Sequence, residues 1–177
     1  MNNLIILIFI ITQLQNTMTL FNFNPSSDIT NWNIVDDVVM GGRSNSTFSI
    51  SNDGTGVFRG KVSLENNGGF SMVQYLFDTK KADEFSKVVI RIKGDGKSYQ
   101  LRIKSNNSDY FSYVTSFNTS GDWETISIPF NQMYPAFRGR KLDAENYPGK
   151  KMEMIAFLIG NKKAETFKLE IDMIELK

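Results

Sequence analysis

The chain contains no His and no Cys, so chemistry must come from carboxylates, amides, hydroxyls and guanidinium groups. That removes the commonest general base, the commonest transition-metal ligand and every thiolate nucleophile. Ser-His-Asp hydrolysis and zinc held by His or Cys are excluded together. Four polar groups remain: Asp36-Asp37 with Gly41-Gly42-Arg43, then Glu65-Asn66-Asn67-Gly68-Gly69, then Gly94-Asp95-Gly96, then Arg138-Gly139-Arg140. Two carboxylates sharing acid and base duty are the glycosidase arrangement, and Asp36 with Glu65, or Glu65 with Asp95, would be the pair. A carboxylate cluster without further machinery is more often structural, so the reading is non-catalytic, with no metal and no cofactor.

Asp36 and Asp37 interrupt an apolar stretch from Trp32 to Met40, and something must satisfy them. Arg43 is the nearest cation, and a bend at Gly41-Gly42 would fold it back into an ion pair that holds the loop. Asn66, Asn67, Gly68 and Gly69 accept positive φ, so the chain can reverse sharply between Val62-Ser63-Leu64 and Phe70-Ser71-Met72. Such a corner exposes Glu65 and two amides, which suits recognition better than reaction. Arg138 and Arg140, one Gly apart in an aperiodic stretch, could make a bidentate contact to an acidic partner.

The elements that must position these groups are strands. Leu20 to Phe23 alternates, and Phe48-Ile50 and Val57-Arg59 flank the turn Asn52–Gly56 as a hairpin. Phe70–Phe77 follows the corner, and Thr79–Phe85 reads as a loop with one helical turn. Val88–Ile92 is a nearly continuous β-branched run, buried on both faces or close to it. Gly94-Asp95-Gly96 is a turn. Tyr99, Leu101 and Ile103 then alternate with Gln100, Arg102 and Lys104, giving one buried and one wet face. Tyr110–Phe117 and Trp123–Ile128 are further strands, with Trp123 expected in the core and Pro129 as the stop. Phe130–Met152 is aperiodic and read as a long loop. Ile155–Ile159 and Phe167–Met173 close the chain, and the slip of alternation to Ile174 and Leu176 predicts a β-bulge. Nine or ten short strands without a long amphipathic helix make the fold class all-β, an antiparallel β-sandwich of jelly-roll type.

Length and charge bound the rest. The 177 residues fit one domain, expected over 18–177, and 41% of them are apolar, enough for a core. Twenty basic against nineteen acidic residues argue against a nucleic-acid partner, which needs concentrated positive charge. Leu4–Ile11 is an apolar run too short to span a membrane. Residues 1–17 read either as a signal peptide, making the protein exported, or as sequence upstream of a true start at Met18, making it cytoplasmic.

Four motifs in register resemble the complex I intermediate-associated protein 30 family: Val35–Ser44, Ser63–Phe70, Arg91–Tyr99, and Ile128-Pro129-Phe130 with Phe137–Arg140. The likeness runs from about Leu20 to Leu176. It implies a galactose-binding-like jelly roll, in agreement with the periodicity. It also implies a non-catalytic assembly factor or chaperone for NADH:ubiquinone oxidoreductase, mitochondrial in eukaryotes. Residues 1–18 lack Arg and Lys, so the chain looks like a bacterial stand-alone relative. Some members carry a dinucleotide-binding domain, but here Gly96-Lys97-Ser98 lacks the glycine five residues earlier that a phosphate loop needs.

Two binding readings follow. In the first, Asp36, Asp37, Arg43, Glu65, Asn66, Asn67, Asp95, Arg138 and Arg140 form a polar rim for a protein partner. In the second, Trp32, Tyr110, Trp123, Tyr134, Phe137 and Tyr147 offer stacking faces to a carbohydrate.

Overall fold

The computed structural model describes residues 16–177, so the apolar leader lies almost wholly outside the described residues. The strands are β1 (Met18–Asn22), β2 (Trp32–Asp36), β3 (Asn45–Ile50), β4 (Gly56–Val62), β5 (Ser71–Lys81), β6 (Lys87–Lys93) and β7 (Ser98–Lys104). They continue with β8 (Ser112–Asn118), β9 (Trp123–Pro129), β10 (Tyr134–Phe137), β11 (Arg140–Lys141), β12 (Lys151–Ile159) and β13 (Glu165–Leu176). Three 3-10 turns, Asp37–Met40, Glu65–Asn67 and Phe130–Gln132, join them.

Two antiparallel sheets face each other. One runs β3-β4-β13-β6-β9, with β1 alongside the end of β13; the other runs β11-β10-β8-β7-β12-β5-β2. The core lies between them, because alternate residues of every long strand turn inward. Phe58, Ile90, Leu169 and Ile171 come from the first sheet; Val73, Leu101, Ile103, Ile155 and Phe157 come from the second. The expected bulge is present in β13, where the register shifts between Ile171 and Met173. It restores Ile174 and Leu176 to the core and turns Asp172 out to Arg91 at 2.6 Å.

Three expectations are corrected. Thr79–Lys81 is not loop but the end of β5, because Lys80 and Lys81 pair with Met152 and Lys151. The stretch Phe130–Met152 is not one long loop, since β10 and β11 form a hairpin on the edge of the seven-stranded sheet. Trp123 is 38% exposed. It opens edge strand β9, where the Arg91 guanidinium lies 4.8 Å from the ring.

Candidate functional site

The corner after β4 is a crossover from the six-stranded to the seven-stranded sheet, and one carboxylate holds it. Asp37 is fully buried. Its Oδ1 accepts the Ser44 N–H at 2.9 Å, and its Oδ2 accepts the Ser44 hydroxyl at 2.5 Å, the Gly69 N–H at 2.6 Å and the Phe70 N–H at 3.2 Å. Burial alone would raise the Asp37 pKa. The bonds from Ser44, Gly69 and Phe70 outweigh it and hold the group below the usual carboxylate range. Ser44 Oγ also accepts the Ser63 N–H at 3.0 Å, so the chain before and after the corner closes on the same point.

The glycine pairs divide two tasks. Gly41 and Gly69 have φ of +89° and +139°, conformations that side chains disfavour. Gly42 and Gly68 are there for space: a Cβ would stand 2.3 Å and 2.6 Å from the Asp37 carboxylate oxygens. Gly96 likewise turns at φ +78°, while Gly94 lets Thr119 approach. Asn66 and Asn67, at φ 54° and 59°, make the reversal expected of them.

Arg43 does not serve the twin aspartates. Asp36 accepts the Ser46 N–H at 2.9 Å, the Ser46 hydroxyl at 2.8 Å and the Ser71 hydroxyl, while Arg43 lies 3.5 Å from Glu65 on the surface. Small donors fit beside a buried carboxylate without bringing a second charge out of water, which explains the preference. Three apolar side chains near the clamp are exposed among its polar neighbours: Val38 at 60%, Met40 at 55% and Leu64 at 47%. Arg43, Lys61, Leu64 and Glu65 line an open depression beside it.

The nine residues expected on one rim separate into three places. Asp36, Asp37, Arg43, Glu65, Asn66 and Asn67 come together at the corner. Asp95 sits on the turn between β6 and β7, held by Lys97 at 2.6 Å, by the Tyr99 hydroxyl at 2.9 Å and by the Lys168 N–H at 3.0 Å. Arg138 and Gly139 are the two-residue turn of the β10–β11 hairpin, both at positive φ, at the opposite edge of the seven-stranded sheet from β2. Arg138 stacks 5.2 Å over Phe137, and Arg140 is exposed in β11. The proposed carboxylate pairs are not built as acid and base: both aspartates of the corner are saturated with donors and Glu65 is solvated. Among the described residues no three acidic side chains gather as a metal site.

Of the aromatics, Trp32 and Tyr147 are core. Tyr110, 67% exposed, meets Phe137 edge-on at 5.3 Å, and Lys141 lies 5.4 Å over Tyr134.

Sequence reading passed over the outer face of the seven-stranded sheet. Ile155, Phe157 and Ile159 of β12 point into the core, so Met154, Ala156 and Leu158 point away from it, yet they are only 2%, 0% and 6% exposed. No third sheet or α-helix exists among the described residues to cover them. Their cover is the long side chains beside them, Met72, Gln74 and Leu76 of β5 and Gln100, Arg102 and Lys104 of β7. Arg102 is half-buried there, donating Nε and Nη2 to Gln100 Oε1 at 3.1 Å and 2.7 Å. Burial lowers its pKa from the ordinary value, against a raising effect of Tyr134. The unbroken apolar run Ile155–Ile159 was the signal, because a strand apolar on both faces needs cover on both.

This geometry defines a galactose-binding-like β-sandwich with a locked loop corner and a polar-lined open sheet face. Family 11 carbohydrate-binding module from Clostridium thermocellum, solved with a β-1,3-1,4-mixed-linked tetrasaccharide, shares the fold: TM-score 0.67, 19% identity, 90% of this chain and 94% of that one. The agarase AgWH50C contains a similar part, with TM-score 0.61, 11% identity, and coverage of 92% of this chain but 25% of that one. The chain belongs to the complex I intermediate-associated protein 30 family, whose profile matches residues 21–171. Similar relatives include "Complex I intermediate-associated protein 30, mitochondrial" of Drosophila melanogaster, 24% identical over 91% of this chain and 63% of that protein. The Caenorhabditis briggsae relative, "Probable complex I intermediate-associated protein 30, mitochondrial", is 28% identical over 87% of this chain and 52% of that protein. The chain therefore spans between about half and two thirds of the curated relatives named here.

Proposed function

We propose that the protein is a non-catalytic binding module that associates with an assembly intermediate of NADH:ubiquinone oxidoreductase. Family membership across residues 21–171 supports the class of partner. The observation that carries a binding role is the Asp37 clamp: a buried carboxylate fixes two turns and leaves Val38, Met40 and Leu64 exposed on a rigid base. Apolar side chains exposed on a pre-ordered corner lose little entropy on docking, which favours a protein partner. Asp36, Asp37 and Asp95 are each taken up by hydrogen bonds that hold turns, which supports a role without turnover. Affinity purification of the tagged chain in mild detergent tests this reading. Recovery of complex I subunits is expected; recovery of none, with the chain folded and soluble, would end it.

A second reading, carbohydrate binding, has its own observation: the exposed pair Tyr110 and Phe137 at the sheet edge. Affinity electrophoresis in mixed-linked β-glucan separates the readings, since a protein-binding module migrates there as it does without glucan.

A further inference from the structure

We propose that the outer face of the seven-stranded sheet docks an extended acidic segment of the protein partner, with a carboxylate of that segment paired to Arg102. This adds a second contact surface, apart from the corner, for the same partner, and it rests on the protein-binding reading above. A guanidinium has five N–H donors, and Gln100 takes two of Arg102's. Among the described residues no carboxylate forms an ion pair with it, although Arg43 and Arg91 both find one. A half-buried cation without a counter-charge costs solvation and returns little to the fold. Its placement makes sense if the counter-charge arrives with a ligand.

The surroundings select the ligand. Register places Asn33, Gln74, Ala156, Arg102, Val114 and Tyr134 in one row across six strands. The adjacent row is Val35, Met72, Leu158, Gln100 and Ser116, and neither row contains a carboxylate. Lys104 and Lys141 add positive charge nearby. Charge complementarity therefore calls for an acidic occupant. Amides at Asn33, Gln74 and Gln100 can bond a peptide backbone, and the half-buried Val35 and Met72 receive apolar side chains. Tyr134 is the single aromatic of these rows and Lys141 already stacks on it, so a sugar finds no open platform here. Five strand spacings make the row roughly 24 Å wide, which an extended peptide of about seven residues crosses.

The test uses the full chain, isotope-labelled, and three probes: a heptapeptide alternating Leu and Glu, the same peptide with Gln for Glu, and a mixed-linked β-glucan tetrasaccharide. The acidic peptide should shift the Arg102 Nε–H signal and the amides of Gln100 and Ser116. Binding should weaken at least about tenfold with the Gln peptide or in Arg102→Met, because a charge-assisted pair is lost. Arg102→Lys should weaken it less. The Tm of Arg102→Met should be no lower than that of the unaltered protein, since the variant removes a poorly compensated cation. Equal binding of the Gln peptide, unchanged binding by Arg102→Met, a marked fall in its Tm, or shifts from the tetrasaccharide alone would each overturn the proposal. Failure of the two readings is distinguishable. If tagged Arg102→Met still recovers complex I subunits as the unaltered chain does, this face is not the docking surface and the protein-binding reading stands. If the unaltered chain recovers none, both fall.

Discussion

Replacing Asp37 with Asn changes one atom and tests whether the corner is held as described. The carboxylate accepts four hydrogen bonds, three from backbone N–H groups and one from the Ser44 hydroxyl. In the variant the amide takes its less costly orientation, with Nδ2 in place of Oδ1, facing the Ser44 N–H alone. That leaves one buried donor against another, worth about 1–3 kcal/mol, and removes charge assistance from the remaining bonds. The expected loss is about 3 kcal/mol. With roughly 2–4 °C per kcal/mol for a domain of this size, Tm should fall by about 6–12 °C. Urea unfolding should show a midpoint about 1.5 M lower at an unchanged slope near 2 kcal/mol/M.

The pH dependence supplies a second readout. Asp37 titrates below the usual carboxylate range in the fold, and near 3.9 in the unfolded chain. The folded state thus binds fewer protons, and the stabilisation is complete above about pH 4 and is lost as pH falls through the folded value. The gap between the unaltered protein and Asp37→Asn should therefore narrow below about pH 4. A loss under about 1 kcal/mol at neutral pH, or a gap that widens in acid, would refute the clamp.

Other outcomes follow from the same geometry. Gly42→Ala puts a methyl 2.3 Å from the Asp37 Oδ1. It should cost about 1–3 kcal/mol, and in a double-mutant cycle with Asp37→Ala the two losses should not add. Gly41→Ala, strained by its φ of +89° in open space, should cost about 1–2 kcal/mol and add simply to Asp37→Ala in the same denaturation experiment. Tyr99→Phe removes the 2.9 Å bond to Asp95, which keeps Lys97 and the Lys168 N–H, so Tm should drop by only about 2–4 °C. Burial first, and Asp95 second, push the Tyr99 phenol up. Its alkaline absorbance change should then appear only with unfolding, and an early change would contradict its burial.

Much of the fold was legible because strands carry their period openly. The bulge in β13 showed as a slip at Met173, and the crossover corner showed as Asn and Gly in sequence. What escaped depends on partners distant along the chain. Arg43 was the nearest cation to Asp37, but the donors that hold Asp37 are Ser44 beside it and the N–H groups of Gly69 and Phe70. Backbone N–H groups leave no mark in a sequence. Trp123 looked like core by type, yet β9 is an edge strand. The wet side of Gln100, Arg102 and Lys104 was readable. That it lies against the outward half of β12 depended on strand order, which period alone does not reveal. Arg138 and Arg140 looked like a binding loop because the hairpin around them is only four and two residues long.

The most direct measurement compares tagged unaltered chain with Val38→Lys/Met40→Lys in co-migration with complex I intermediates on native gels. Both side chains are more than half exposed, so the double variant should unfold within about 0.5 kcal/mol per site of the unaltered protein. It should nevertheless lose the intermediate, because two charges now meet the partner where apolar surface did. Co-migration of the folded double variant at the unaltered level would contradict the claim that this rigid corner is what the partner grips.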